Sequence, residues 1–448
     1  MTLVLCTLLA SWPLGATPKL AARTTDDAHR LRLDVQLDVS QLVGVDDSTA
    51  RTLSLTDVRL WSDAQNIANG PYGLLVDARM RRSQNELVDD RWSVRQMTLT
   101  YGHTTDRWRV RLGRALVPAV ASAEVDGAEL TWRLSDAATA MAFGGLIPHP
   151  LTGDFGSDFV GAGLGYDVRG ASQNHAGGLL ASTYQGALDR AYVTQRSYVS
   201  LGQQLVLSAF VLADLVLPAT ADTTPDRLEQ TTPATKHLTN AYALLRYRPS
   251  RSFDTSLTLS HNHTVLPNKW WQDWLSAQAH QRGYVLDGTE PVGTRLSSVR
   301  WTTNVSVSPT VVPYLSVRYD RRHNDDAVGY EARGGCKLRP RWGYADVSYA
   351  YRDYFRALVH TGSARVGYDA PFVGAEMGLM TLATVWHADS KIRVSTLADA
   401  LTWVSLGALT DALADVRLIA QYQGFYEPLI NYHTVFVQLG YRLHSGVR

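Results

Sequence analysis

The stretch RWRVRLGR, residues 107–114, places arginine at 107, 109 and 111 and an apolar side chain at each position between them. A period of two is the pattern of a β-strand with one polar and one apolar face. In a soluble sandwich the polar face meets outside water and the apolar face meets a core. In a membrane barrel the apolar face meets lipid and the charged face lines a lumen. The rest of the sequence decides between these two arrangements.

The same alternation recurs along the chain from residue 30 onward. Leu33, Val35 and Leu37 alternate with polar residues near the start, and Val299 and Trp301 do so far downstream. These segments are roughly 9 to 14 residues long, close to what a tilted strand needs to cross a bilayer and longer than most strands of soluble proteins. No apolar run is long enough for a transmembrane helix. We therefore expect an all-β chain that forms a single transmembrane antiparallel β-barrel of about 18–22 strands.

Both ends of the chain fit export to an outer membrane. Residues 1–22 predict a signal peptide, because MTLVLCTLLASWPLGA is an apolar h-region; cleavage after Ala16 and after Ala22 both fit. The barrel then occupies residues 23–448, and its first strand begins too soon for a plug domain ahead of it. The final stretch, TVFVQLGYRLHSGVR, resembles the C-terminal strand that the barrel-assembly machinery recognises, although HSGVR follows it.

The lengths of the connections divide between the two ends of the predicted barrel. The long polar inserts 217–236 and 264–293 are separated by two strands and so fall on one side, whereas short turn signals at 249–251 and 308–310 fall on the other. Long external loops and short periplasmic turns are typical of outer-membrane barrels. The predicted location is therefore the outer membrane, in contact with its lipid.

Composition and motifs argue against other classes. With 43 basic and 42 acidic side chains the formal charge is +1, so no nucleic-acid partner is indicated. We find no Gly-x-Ser-x-Gly elbow and no phosphate-binding glycine loop, and expect neither enzymatic activity nor a cofactor. His261 and His263 share a strand face, but no third ligand follows, and no metal site is predicted.

With the apolar face outward, the charged positions of the N-terminal strands would line the pore. The predicted pore-lining residues are Arg79, Arg81, Arg107, Arg109, Arg111, Arg133, Asp77 and Glu129. An excess of arginine in a wet lumen would concentrate anions. Alternatively, cross-strand pairs of arginine with aspartate or glutamate would only stiffen the wall.

The longest insert carries the second candidate site. Trp270, Trp271 and Trp274 could stack on sugar rings or constrict the pore; alternatively, they pack the loop on itself or anchor it at the membrane interface.

The segment WRVRLGRALVPAVASAEVDGAELTWRL, residues 108–134, resembles a part of alginate-export-type outer-membrane barrels. In that family a strand ending in Gly-Arg is followed by a loop and a strand containing Asp-Gly, and the matching positions are Gly113-Arg114 and Asp126-Gly127. The resemblance implies a barrel of about 18 strands, the number most consistent with it, and a basic lumen that conducts an acidic polysaccharide outward.

The sequence thus predicts an outer-membrane channel, with export of an exopolysaccharide as the preferred role. Periplasmic polysaccharide-export proteins would then be partners. A passive diffusion porin for small anions or sugars is the first alternative, and a closed structural or adhesion barrel is the second.

Overall fold

The computed structural model describes residues 31–47, 51–84, 91–103, 105–148, 158–216, 237–263, 295–323, 325–354, 357–386, 392–405, 414–427 and 431–445. The predicted signal peptide and both long inserts lie outside these ranges. Within them the chain forms 22 strands: β1 (Arg32–Asp46), β2 (Arg51–Ile67), β3 (Tyr72–Ser83), β4 (Arg91–Tyr101), β5 (Trp108–Val117), β6 (Ala123–Arg133), β7 (Ala138–Leu146), β8 (Phe159–Arg169), β9 (Gln173–Tyr184), β10 (Ala187–Leu201), β11 (Leu205–Val216), β12 (His237–Ser250), β13 (Phe253–His263), β14 (Arg295–Val305), β15 (Val311–Arg322), β16 (Ala327–Leu338), β17 (Gly343–Tyr354), β18 (Ala357–Asp369), β19 (Val373–Trp386), β20 (Ile392–Ser405), β21 (Ala414–Tyr426) and β22 (Asn431–Ser445).

The 22 strands form one closed antiparallel sheet. Each strand pairs with the next one along the chain, and β22 pairs with β1 from Leu33–Ser445 to Asp46–Tyr432, which closes the barrel. Closure leaves no strand of the described sheet at a free edge. The described residues contain no helix long and apolar enough to cross a membrane.

The registers fix the size of the barrel. A path that follows the paired residues from strand to strand once around the sheet returns to β1 about 24 residues away from its starting point. This stagger corresponds to a strand tilt of about 40°. With 22 strands spaced about 4.8 Å apart, the backbone diameter is about 40 Å. The interior is therefore too wide to be filled by the wall's own side chains.

The prediction of about 18 strands, the number that the family resemblance implied, is wrong, since the described residues form 22. Strands β7, β8 and β9 are the hardest to recognise from the sequence. Their inward positions carry small or apolar residues, such as Phe143, Gly163 and Leu180, in place of charges. The polar half of the alternation is therefore missing from these strands, although they pair in full register with their neighbours.

The two faces of the sheet differ in exposure, which shows which one is convex. Side chains diverge on the outside of a barrel and crowd together on the inside. On β1, Leu37 and Val39 are each 38% exposed, whereas Asp34 on the opposite face is 3% exposed. The same holds further on, with Leu99 at 52% and Glu129 at 2%. The apolar face is therefore the outer one, and the charged face lines the lumen.

Aromatic side chains lie on the convex face near both rims. At the end where even-numbered strands lead into short turns, which we call the short-turn end, the rings of Trp108 and Trp132 stack 4.9 Å apart. At the opposite end, the rings of Tyr319 and Tyr330 lie 5.4 Å apart. Aromatic girdles at both interfaces flank the apolar band of membrane barrels.

A row of glycines bends the wall at β5–β8. Gly113 pairs with Gly127, Gly127 with Gly145, and Gly145 with Gly161. Gly113 has a φ of 109°, which an L-residue with a side chain rarely adopts. Beyond it β5 leaves β4, since their pairing stops at Met97–Arg114, while β5 and β6 stay paired. We call residues 114–126, the part of this hairpin beyond the bend, the inner hairpin.

We expect Gly127→Ala to reduce the yield of folded barrel. A Cβ at this position would lie 2.1 Å from the carbonyl oxygen of Gly144, a backbone atom that cannot move aside. The matched control is Gly362→Ala, because a Cβ there meets no atom within 4 Å. The folded fraction is measured by heat-modifiable gel migration after refolding. Equal folded fractions for the two variants would show that the close approach at the bend is not required.

Candidate functional site: the lumen of the barrel

Ion pairs cover the lumenal wall of the N-terminal strands. The guanidinium of Arg59 donates to both carboxylate oxygens of Asp77, at 2.9 and 2.8 Å. The Nε of Arg79 lies 2.5 Å from Asp57 Oδ2, and the Nε of Arg81 lies 3.5 Å from the same oxygen. Three predicted pore-lining residues, Asp77, Arg79 and Arg81, therefore belong to cross-strand pairs whose charges largely cancel.

Two further predicted residues pair on β5 and β6. The Nε of Arg111 donates to Glu129 at 3.0 Å, and its Nη2 donates to the other carboxylate oxygen. Arg109 lies on the same face, and in the described part of the chain its buried Nε has no hydrogen-bond partner. Both arginines line a cavity of about 140 Å³ at the short-turn end, together with Arg32 and Asp63. Arg109 is therefore a cation of this wall whose Nε is not paired within the described residues.

The other two predicted pore-lining arginines lie at the rim of the short-turn end. The guanidinium of Arg107 lies 5.7 Å from the centre of the Trp132 ring, which belongs to the convex face. Arg133 donates to the backbone oxygen of Thr105 at 2.8 Å and lies 2.5 Å from Asp136. Arg107 therefore contacts an aromatic residue of the outer rim, and Arg133 is tied to the turns.

The inner hairpin folds inward and packs on the lumenal wall of β8–β10. The backbone oxygen of Ala119 accepts a hydrogen bond from Thr194 Oγ1 at 3.1 Å. Val120 is fully buried against two glycines of the wall: a Cβ at Gly178 would lie 2.7 Å from its Cγ2, and one at Gly165 would lie 3.2 Å away. The apolar cluster that results comprises Ala115, Val117, Ala119, Val120, Ala123, Val125, Phe143, Ala176, Leu180 and Tyr192.

A buried ion pair stands at the base of the inner hairpin. Arg114, which is 1% exposed, donates from Nε and Nη2 to the two carboxylate oxygens of Asp126 at 2.5 and 2.6 Å. Its Nη1 donates to the backbone oxygen of Val94 at 2.6 Å. Gly113-Arg114 and Asp126-Gly127, the motif positions of the predicted family resemblance, thus face each other at the bend and hold it.

The wall elsewhere is also polar and largely paired. Arg190 donates to Asp214 at 2.6 and 3.2 Å, Arg318 to Asp320 at 2.8 Å, and Arg352 to Glu331 at 2.8 Å. Among the described residues, no group of three or more His, Cys, Asp or Glu is placed to hold a metal ion. His261 bonds to the hydroxyl of Ser297 at 2.8 Å.

At the short-turn end, one part of the described wall groups five cations around a single carboxylate. We call Arg246, Arg248, Arg251, Lys337 and Arg339 the basic cluster; with Asp254, Asn304, Ser306 and Val312 they line a cavity of about 310 Å³. Its members come from β12, β16 and the adjoining turns, about 90 residues apart in sequence. Sequence reasoning missed this site because only the strand pairing brings the two segments together. The turn PSR at 249–251, with arginines on both sides, was the available signal.

The candidate residues Trp270, Trp271 and Trp274 lie outside the described residues. The strands that flank both long inserts, β11 and β12 for one and β13 and β14 for the other, turn at the same end of the barrel, opposite the basic cluster.

No family model and no curated protein matches the sequence. Among solved structures, the chain is similar to OccAB4 of Acinetobacter baumannii, with 10% identity over 94% of this chain and 100% of that chain and a TM-score of 0.44. It is also similar to OpdO of Pseudomonas aeruginosa, with 10% identity over 94% and 98% of the two chains and a TM-score of 0.45. It is similar as well to the outer membrane protein opdK of the same organism, with 10% identity over 92% of this chain and 99% of that chain and a TM-score of 0.45. At such identities and TM-scores, neither function nor family membership carries over to this chain.

Proposed function

We propose that the chain is an integral outer-membrane β-barrel channel through which small hydrophilic solutes diffuse, with anions favoured. The observation that supports this proposal is the orientation of the two faces of the closed barrel, which is the reverse of the arrangement in a soluble protein. The convex face exposes apolar side chains all round, whereas buried charges lie on the concave face. Lipid is the solvent that such an outer face requires, and a wet lumen removes most of the cost of burying the charges inside.

The size of the lumen supports passage of solutes. A backbone diameter of about 40 Å leaves open space even after side chains fill the inner margin. Among the described residues, the inner hairpin enters this space, and it packs to one side, on β8–β10. Elsewhere the described lumenal wall carries ion pairs on many strands.

The proposed anion preference follows from the positions at which positive side chains outnumber carboxylates. On the N-terminal wall, Arg59, Arg79 and Arg111 pair with carboxylates, which cancels most of their charge. The basic cluster holds five cations beside one lining carboxylate, Asp254, so this part of the short-turn mouth carries an excess of positive charge.

Diffusive passage is favoured over export of an exopolysaccharide. The export hypothesis depended on the likeness around Gly113-Arg114 and Asp126-Gly127. In the structure these residues form the bend and the buried ion pair, which is a structural role that requires no polymer.

Planar-bilayer recording of the refolded protein tests the proposal. We expect steady single-channel currents and, in a potassium chloride gradient, a reversal potential shifted towards that of chloride. Heat-modifiable migration confirms folding of the same sample. A folded barrel without current would contradict the proposal and indicate a closed structural barrel, and a cation-selective current would contradict the anion preference.

A further inference from the structure

We propose that the basic cluster is a binding site for a small oxyanion that carries two or more negative charges, of the pyrophosphate or tricarboxylate type. The inference rests on the proposed channel function only for its consequence, which is that a permeating anion pauses at the short-turn mouth. Binding itself is a property of the folded barrel and can be measured without current.

The charges of the cavity leave a clear excess of positive charge. Arg246 donates from Nε to both oxygens of Asp254, at 2.9 and 3.2 Å, so this lining carboxylate is already occupied. The side chains of Arg248, Arg251 and Arg339 are exposed, and none forms an ion pair or side-chain hydrogen bond within the described residues. Three guanidinium groups therefore face the cavity without a side-chain hydrogen bond to the described residues, although Arg248 also interacts electrostatically with Asp254.

The fourth free cation, Lys337, is held in place by an aromatic ring. Its Nζ lies 5.1 Å from the centre of the Tyr314 ring, and the guanidinium of Arg333 lies 5.9 Å from the same ring. The ring lies across Gly335, where a Cβ would be 2.6 Å from its Oη. Tyr314 in turn donates its hydroxyl to Asp346 at 2.9 Å, and Asp346 pairs in register with Lys337. Asp346 is thus a second carboxylate near the cluster, although it does not line the cavity.

The backbone fixes two of the free arginines. The amide of Arg248 donates to the oxygen of Gln204 at 2.7 Å, and the amide of Arg339 donates to the oxygen of Thr310 at 2.7 Å. Each of these bonds ties an arginine of the cluster to the turn of a neighbouring hairpin. The two Cα positions are therefore set before any ligand arrives, which lowers the entropic cost of binding.

The geometry selects the class of ligand. A guanidinium presents parallel N–H donors that match the oxygens of a phosphate or carboxylate group. A monovalent anion could neutralise only one of the four free cations, whereas a compact polyanion can contact several at once. A volume of about 310 Å³ is at the lower end of small-molecule sites, which fits a small ligand such as pyrophosphate or citrate.

Calorimetric titration of the refolded barrel in detergent micelles with inorganic pyrophosphate tests the site. The double variant Arg248→Gln with Arg339→Gln removes two free guanidinium groups, and we expect its affinity to fall by about 100-fold, because each charge-assisted hydrogen bond contributes about tenfold or more. Arg442→Gln is the matched control: Arg442 is exposed at the same end of the barrel, on the distant strand β22. We expect this control to bind pyrophosphate as the unsubstituted protein does.

Citrate and acetate titrations identify the ligand class. Binding of both pyrophosphate and citrate, with no measurable binding of acetate, supports a site for multivalent oxyanions; binding of pyrophosphate alone restricts it to phosphates. The proposal is overturned if pyrophosphate does not bind, if the double variant binds it unchanged, or if Arg442→Gln weakens binding as much as the double variant does. Because binding needs no current, loss of conductance with retained binding would contradict the channel and leave the site standing.

Discussion

Arg114→Ala is expected to lower the free energy of unfolding of the barrel by about 3–5 kcal/mol, the usual cost of leaving a buried charge without its partner. Arg114 is 1% exposed, and Asp126, its partner, is largely buried as well. Removing the guanidinium also leaves the backbone oxygen of Val94 without this donor. Glu124 lies 3.8 Å from Arg114, so its charge also loses an attractive neighbour. Urea titration of the folded barrel in micelles, followed by tryptophan fluorescence, measures the change.

Arg169→Ala is the control for this measurement. Arg169 pairs with Asp167 at 2.7 Å, but its side chain is 76% exposed, and exposed pairs contribute at most about 1 kcal/mol. We expect an almost unchanged unfolding curve for this variant. If Arg114→Ala also unfolded like the unsubstituted protein, the bend would not depend on the ion pair, and the apolar cluster alone would hold the inner hairpin.

The alternation of side chains predicted the architecture because it reports directly on the two faces of a strand. In RWRVRLGR the rule holds as far as Arg111 and Leu112, which face the lumen and the outside respectively. It fails at Gly113, whose positive φ turns the chain inward, so that Arg114 becomes the most buried arginine described. A backbone angle leaves no trace in a hydropathy pattern. The glycines at 113, 127, 145 and 161 signal a bend only once the strand register aligns them.

The sequence predicts which charged side chains face the lumen, but it does not predict their net effect. Lumenal positions follow from a period of two, whereas pairing depends on register: Arg59 meets Asp77, and Arg79 meets Asp57, through strand offsets that no local pattern encodes. The excess of arginine in one segment of the sequence therefore does not predict the electric field in the lumen. The basic cluster, which joins two distant segments, holds more cations than carboxylates.

Val120→Asp is expected to release the inner hairpin from the wall and to raise the single-channel conductance. Val120 is fully buried, and the glycines at 165 and 178 make room for its side chain. An unpaired carboxylate there costs about 3–5 kcal/mol, enough to shift the equilibrium between docked and free hairpin by a factor of at least about 100. The wall strands keep their pairing, so the folded barrel should persist and heat-modifiable migration should be retained.

Ala121→Asp separates this effect from that of added charge. Ala121 is exposed at the tip, and its φ of 50° suits aspartate better than alanine. The control places the same charge one residue away without burying it, and we expect its conductance to match that of the unsubstituted channel. Equal conductance for Val120→Asp and Ala121→Asp would mean that the hairpin does not limit the current. The narrowest point would then lie elsewhere along the lumen, and the apolar cluster would serve stability alone.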